Sequence, residues 1–224
     1  MSDLATMRAV MQPWINAQRP MQAVVRWGNF PDYGQTLLMH NSSVLVVAAW
    51  VCRVVERDDI TFRKGAVYEA LIFHDHGEPL TGGDEHVDAR TNGKEGKEWN
   101  AFAKLLEHVP VWLHDKWLQT FSLQYCRKAS ASELPERGQH IVHPLARHGA
   151  KEALVFEFIE RLDYLFTALD GFDHGVRNEY EGMLEHCLKN QTHKLNELVV
   201  ELPILAEIWT NTLQDELHSL AAGH

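Results

Sequence analysis

An adjacent histidine and aspartate end an apolar run in the first half of the chain. His74 and Asp75 follow the residues AVYEALIF, and a glycine-rich, acidic loop comes directly after them. An imidazole and a carboxylate side by side can share one divalent metal ion, because their side chains converge where a helix gives way to a loop. The dipeptide alone is weak evidence, since the chain has a second copy at His114 and Asp115. A metal site therefore needs further ligands elsewhere.

Two further candidate ligands lie on long apolar helices. His40 stands near the N-terminal end of one predicted helix, and Asp163 stands within the apolar stripe of another. A carboxylate in such a stripe costs free energy unless it is paired or bound to a metal ion. An ion pair with Arg161 or an exposed position explains Asp163 equally well. His40 taken alone is more simply a histidine at a helix N-terminus.

The elements that must position these residues are helices. Apolar residues recur at helical spacing over about 3–17, 36–57, 66–73, 98–108, 111–125, 151–169, 177–202 and 203–220. Glycine and proline predict long loops over 77–96 and 127–149. No segment shows the alternation of a strand, so the predicted fold class is all-α.

Composition narrows the class of protein. The 224 residues carry a net charge of -10, which argues against a general nucleic-acid surface. The three cysteines are widely spaced, as in a reducing cytoplasm rather than a disulfide framework. The N-terminus lacks the pattern of a signal peptide, and no apolar run reaches about 18 residues, so we expect no membrane span. One cytoplasmic domain is the expectation.

Taken together, these motifs resemble the HD-domain metal-dependent phosphohydrolases, most closely the bacterial 5'-deoxynucleotidases and related viral dNTP triphosphohydrolases, such as those acting on dATP. That superfamily has one histidine on an early helix, a His-Asp pair on the next and a late aspartate. Arg26 and Trp27 precede His40 as an Arg-Trp pair does there, and residues 74–84, HDHGEPLTGGD, follow the family's loop with one extra glycine before Asp84. The resemblance covers about 20–170. It implies a single HD-type helical bundle with a C-terminal helical extension over about 171–224.

The resemblance also implies a metal site and its ligands. His40, His74, Asp75 and Asp163 would hold one divalent ion, and Co, Mn, Zn or Mg would each suit this set. Bound metal lowers the pKa of water and polarises a phosphoryl oxygen.

Roles around the metal follow from the same resemblance. Glu78 would act as general acid or base, assisted by Asp84, the only carboxylate available where the extra glycine shifts the loop. Arg26 would bind a phosphate bidentately, and Trp27 would pack on sugar or base. Without the resemblance, Glu78 would be read as a solvated loop carboxylate, Arg26 as a surface arginine and Trp27 as a core tryptophan.

Other basic residues complete the expectations. Lys94 and Lys97 would reach the distal phosphates of a triphosphate, although lysines in such a loop are usually solvated. His76 either belongs to the site or has no role in it. We expect the His114–Asp115 pair and the cluster of His140, His143 and His148 to lie on the surface.

The predicted function is hydrolysis of phosphate from 5'-deoxynucleotides, with monophosphate and triphosphate substrates both open. The predicted partner is a small nucleotide, with no nucleic acid and no membrane, in a homodimer or larger assembly. One alternative is a dinuclear phosphodiesterase that uses extra histidines such as His86 and His108. Another is a regulatory helical module that binds metal without catalysis.

Overall fold

The computed structural model describes residues 3–27, 30, 32–81, 93–148 and 150–223. Within these ranges the chain forms helices and no strand beyond two isolated bridges, which confirms the all-α prediction. The helices are α1 Asp3–Met21, α2 Leu37–Asp58, α3 Lys64–Phe73, α4 Glu78–Thr81, α5 Lys94–Leu105, α6 Val111–Ser122, α7 Glu136–His148, α8 Ala150–Asp173, α9 Met183–Glu201 and α10 Asn211–Ala222.

The main hydrophobic core lies between α2 and α8. Val44, Ala48 and Val51 of α2 are buried in the same cluster as Ile159 and Leu162 of α8, and α9 packs along α8. Burying each valine, isoleucine or leucine side chain stabilises the fold by about 1.5–3 kcal/mol. The core therefore holds α2 and α8 side by side, with His40 and Asp163 on adjacent helices.

The N-terminus of α2 is set by a side-chain cap. The Thr36 hydroxyl accepts a hydrogen bond from the Met39 amide, which satisfies one of the unpaired donors of the first helical turn. This cap places His40 one turn inside the helix, pointing into the interior, where it is 1% exposed.

A second, aromatic cluster supports the end of α3. Phe73 packs against Trp14 of α1 and Trp117 of α6, with ring centroids 5.2 and 5.1 Å away. Phe102 of α5 stacks on Phe121 of α6 at 3.8 Å. The residue that follows Phe73 is His74, so this cluster holds the chain in place just before the His-Asp pair.

Several predicted boundaries were wrong. The segment 127–149 contains a short 3-10 turn, Ala129–Glu133, and α7, which includes Pro144. Proline disfavours a helix interior, but the amphipathic spacing of α7 buries Gly138 and Val142 and outweighs that cost. Similarly, α5 begins at Lys94 inside the predicted 77–96 loop, and α9 begins at Met183 rather than near Arg177.

The C-terminal residues belong to the main core. The predicted helix over 203–220 divides into a 3-10 turn, Pro203–Glu207, and α10. Leu205 and Trp209 are buried in the cluster that contains α2 and α8. The Trp209 indole N–H also donates to Asn196 Oδ1 at 2.8 Å.

Helix α2 alone among the described helices is long and apolar enough to cross a membrane. The sequence expectation missed it because polar residues interrupt its apolar run. Its buried face, which includes His40 and Asn41, is packed inside the bundle. We therefore describe α2 as the core helix of the bundle.

Candidate metal centre

Two histidines from different helices meet in the interior. His40 of α2 and His74, directly after α3, are 1% and 5% exposed. Their Nε2 atoms lie 3.1 Å apart. Two nitrogens bound to one tetrahedral ion at Zn–N distances of about 2.0–2.1 Å would be separated by about 3.3 Å. The two imidazoles are therefore spaced as ligands of one ion.

The other nitrogen of each ring is occupied. His74 Nδ1 lies 2.7 Å from the carbonyl oxygen of Leu71, and His40 Nδ1 lies 2.8 Å from Asp163 Oδ2. Each Nδ1 has only an acceptor to bond, so it carries the proton. In the neutral ring this leaves the Nε2 lone pair available to a metal ion.

Asp75 adds a carboxylate to the pair of histidines. Its Oδ1 lies 3.2 Å from His74 Nε2, and its Oδ2 lies 3.6 Å from His40 Nε2. Oδ2 is buried and makes no hydrogen bond to the described residues. His40, His74 and Asp75 thus form a buried group whose ligand atoms lie within 4.8 Å of one another, and this group could hold a metal ion.

The sequence analysis missed a second carboxylate at this centre. Glu160 Oε1 of α8 lies 3.2 Å from His74 Nε2 and 3.5 Å from His40 Nε2. The only sequence signal is its position three residues before Asp163, which places both residues on the same face of a helix.

Asp163 is buried, as expected for a site residue, but it lies on the side of His40 away from His74 and Asp75. It is 1% exposed, and Arg161, its alternative partner, instead donates to Glu157 at 2.9 Å. Both alternatives weighed for Asp163, an exposed position and an Arg161 ion pair, were therefore wrong. The geometry also differs from the predicted ligand set, because Asp163 contacts the Nδ1 side of His40 and not the Nε2 side that faces His74 and Asp75.

The electrostatics of this cluster favour a cation. Burial lowers the pKa of His74, but Asp75 and Glu160 outweigh it and raise that pKa to about 9. Burial raises the pKa of Glu160, yet the two histidines bring it down to about 2. The pKa of Asp75 is likewise held well below its usual range against the effect of burial, chiefly by His74. Positive charge is therefore stabilised between the two carboxylates.

Arg26 and Trp27 lie next to this cluster, and both contact Tyr164 of α8. Arg26 is 7% exposed, its Nη2 donates to the Tyr164 hydroxyl, and its Nη1 is 3.9 Å from Asp75 Oδ2. Trp27 has a left-handed backbone, φ 64, and its indole meets the Tyr164 ring edge-on at 5.5 Å. This backbone conformation is an outlier for a bulky residue, and such outliers cluster at functional sites. The contacts of Arg26 and Trp27 with Tyr164 place this loop against α8, beside the candidate metal centre.

Glu78 and Lys94 lie together on the α5 side. Lys94 Nζ is 3.6 Å from Glu78 Oε1 and 3.3 Å from Glu98 Oε1. Lys94 is only 4% exposed, so the structure places it as an ion-pair partner of Glu78 rather than as a solvated loop lysine. Lys97, by contrast, is exposed.

The remaining predicted residues divide into three groups. Asp84 and His86 lie outside the described residues, as does the side chain of His108. His76 is buried edge-on against Trp14, and burial lowers its pKa to about 4. Asp115 is exposed and pairs with Arg137, whereas His114 beside it is partly buried. His140, His143 and His148 are exposed, as expected for surface residues.

No protein-family model, curated protein or solved structure matches the chain. The functional inference therefore rests on the residues of the site and on the motifs of the sequence.

Proposed function

We propose that the protein is a metal-dependent phosphohydrolase of 5'-deoxynucleotides, with one divalent ion held by His40, His74 and Asp75. The observation that carries this proposal is the buried, acidic His-His-Asp group with the Arg26 guanidinium 3.9 Å from Asp75. An ion bound beside a fixed guanidinium provides two cationic groups for one phosphate. The resemblance to HD-domain enzymes supports the same reaction class.

The ion supplies an activated water and a polarised phosphoryl oxygen when it is bound. Arg26 binds the phosphate and neutralises the charge that develops on its oxygens. Its contacts with Tyr164 hold the guanidinium in one orientation, so little side-chain entropy is lost when the phosphate binds.

Glu78 moves the protons of the reaction. Water adds to phosphorus, the bond from phosphorus to the leaving oxygen breaks, and the proton lost by water passes to Glu78 and then to the leaving oxygen. Glu78 follows Asp75 by one turn, since its amide donates to the Asp75 carbonyl. Lys94 beside it stabilises the carboxylate form that accepts a proton.

Trp27 contacts the nucleoside in this proposal. Its indole N–H is held by Gln35 Oε1 at 2.8 Å, which fixes the ring next to Arg26 and suits stacking on a sugar or base. Lys97 is the exposed cation that would reach distal phosphates. The buried ion-paired position of Lys94 suits support of Glu78 better.

A substrate-by-metal screen tests the proposal. The protein is incubated with deoxynucleoside mono- and triphosphates in Mn²⁺, Co²⁺, Zn²⁺ or Mg²⁺, and the products are identified. Release of inorganic phosphate from monophosphates identifies a nucleotidase, and release of tripolyphosphate identifies a triphosphohydrolase. Metal binding with no turnover of any nucleotide would overturn the enzymatic proposal and favour a regulatory module. Two metal ions per chain by elemental analysis would favour a dinuclear phosphodiesterase.

A further inference from the structure

We propose that Glu160 is the fourth protein ligand of the metal ion, and that Asp163 is a positioning residue that acts through His40. This inference rests on the metal site of the proposed function but not on the reaction. It assigns different roles to two acidic residues that stand three positions apart on α8.

The two carboxylates contact opposite sides of one ring. Asp163 Oδ2 lies 2.8 Å from His40 Nδ1, and Glu160 Oε1 lies 3.5 Å from His40 Nε2. The two nitrogens of an imidazole point in different directions, so one ion cannot lie in line with both. The ion belongs on the Nε2 side, because His74 Nε2 is 3.1 Å away there.

The separations on the Nε2 side are those of ligand atoms around one ion. Glu160 Oε1 is 3.2 Å from His74 Nε2, and Asp75 Oδ1 is also 3.2 Å from it. Neighbouring ligand atoms of a tetrahedral ion at bonds of about 2.0–2.2 Å are separated by about 3.3 Å, and those of an octahedral ion by about 3.0 Å. Each carboxylate therefore lies at a ligand-like distance from His74 Nε2.

The hydrogen bonds of the two carboxylates separate their roles. Both Asp163 oxygens have protein partners, since Oδ1 accepts from the Ser43 hydroxyl and Oδ2 from His40. Glu160 Oε1 is buried and makes no hydrogen bond to the described residues. It is in ion-pair contact with the Nε2 atoms of His74 and His40. A buried carboxylate oxygen without a hydrogen bond is costly, and a metal ion at this point would satisfy it.

With an ion on the Nε2 side, Asp163, His40 and the ion would form a carboxylate–histidine–metal triad. Asp163 fixes the tautomer and orientation of the ring, and this raises the basicity of Nε2. Ser43, one turn along α2 from His40, holds Asp163 in turn. Two neutral imidazoles with Asp75 and Glu160 then carry two negative charges, which balance a divalent ion.

Metal binding and the spectrum of bound Co²⁺ test this division. We would titrate the metal-free protein with Mn²⁺ and Co²⁺ by calorimetry and record the visible absorption of the Co²⁺ form, which responds to the ligand set. The variants are Glu160→Gln, Glu160→Asp and Asp163→Asn, with Glu185→Gln as the exposed control. Circular dichroism of the metal-free variants in chelator shows which of them fold. If Glu160→Gln does not fold, Glu160→Asp replaces it in the test, because it keeps the charge but shortens the side chain.

We expect Glu160→Gln to lower Co²⁺ affinity at least about 100-fold and to change the spectrum. Asp163→Asn should lower affinity about 10- to 100-fold, as for other residues that orient a ligand, with the spectrum preserved. A changed spectrum only in Asp163→Asn, or unchanged affinity in Glu160→Gln, would overturn the inference. In that case the role of Glu160 would be limited to an ion pair with protonated His74. Metal binding without hydrolysis in the unmodified protein would refute the proposed function and leave this inference standing.

Discussion

A single imidazole ring, that of His40, separates two acidic residues of α8 at the candidate metal centre. Asp163 bonds to one nitrogen of His40 and Glu160 approaches the other. The same side-chain chemistry thus serves two purposes, according to the nitrogen that each carboxylate meets. At this scale, the proposed roles depend on which atom would face an ion and on which oxygen already has a partner.

Glu78→Gln tests proton transfer at the level of one residue. The amide keeps the size of the carboxylate but cannot accept a proton, so kcat should fall by about 10²- to 10⁴-fold. Metal affinity should stay unchanged, because Glu78 lies next to Lys94 rather than among the ligand atoms. Steady-state kinetics and calorimetry measure the two effects. Glu107→Gln, at an exposed position, is the control, and an unchanged kcat in Glu78→Gln would remove this residue from the reaction.

Among the secondary-structure elements, the contact between the turn after α3 and helix α5 positions the site. A Cβ added at Gly77 would lie 2.7 Å from the backbone carbonyl oxygen of Glu98 and 3.0 Å from its Cβ. Only glycine permits this approach without a shift of the backbone. The turn carries His74 and Asp75 on one side of Gly77 and Glu78 on the other, so the distance between the proposed metal ligands and the proposed general base depends on it.

Gly77→Ala should therefore both destabilise the fold and disturb the site. Overpacking against backbone costs about 1–3 kcal/mol, measured by chemical denaturation, and activity should fall further because Glu78 moves relative to Asp75. Gly65→Ala is the matched control, since nothing lies within 4 Å of its added Cβ and its backbone is ordinary. That control should be neutral or gain up to about 1 kcal/mol. Equal effects of the two substitutions would contradict the packing explanation.

Across the whole molecule, the C-terminal helices share the core that holds the site. The turn Pro203–Glu207 contacts α2 and α9, and Trp209 is 2% exposed. Helix α2 carries His40, and α9 packs along α8, which carries Glu160 and Asp163. Packing by the C-terminal residues therefore also keeps the two halves of the candidate metal centre together.

Trp209→Ala should lower the free energy of unfolding by about 3–5 kcal/mol, as expected for removal of a buried aromatic side chain. Denaturant unfolding measures the loss. Trp112, with 75% of its surface exposed, gives the control Trp112→Ala, which should change stability by no more than about 0.5 kcal/mol. A small loss at Trp209 would show that the C-terminal residues contribute little to the core.

Metal ions should stabilise the whole molecule, because the ligands come from distant parts of the chain and converge only in the fold. At a free concentration about 100 times its Kd, an ion adds about 2.7 kcal/mol. For a domain of this size, the melting temperature should rise by about 5–10 °C. Differential scanning calorimetry with and without chelator measures the shift. His40→Ala should abolish it, and an equal shift in that variant would place the ion elsewhere.

Local sequence patterns are enough to predict the helical class and most of the residues that meet at the site. Helical periodicity is local, so α2, α3 and α8 were predicted close to their observed bounds. The motif pattern also grouped His40, His74 and Asp75, which the fold brings together. The same local rules failed for α7, because burial along an amphipathic face outweighed Pro144.

The roles of Glu160 and Asp163 depend instead on how the helices pack. These residues are separated from His40 by about 120 positions, and the nitrogen that each one meets depends on how α8 lies against α2. No spacing within α8 carries that information, since positions 160 and 163 share one helix face. The packing of the core between α2 and α8 decides which nitrogen of His40 each carboxylate meets, and therefore which atoms can face a metal ion.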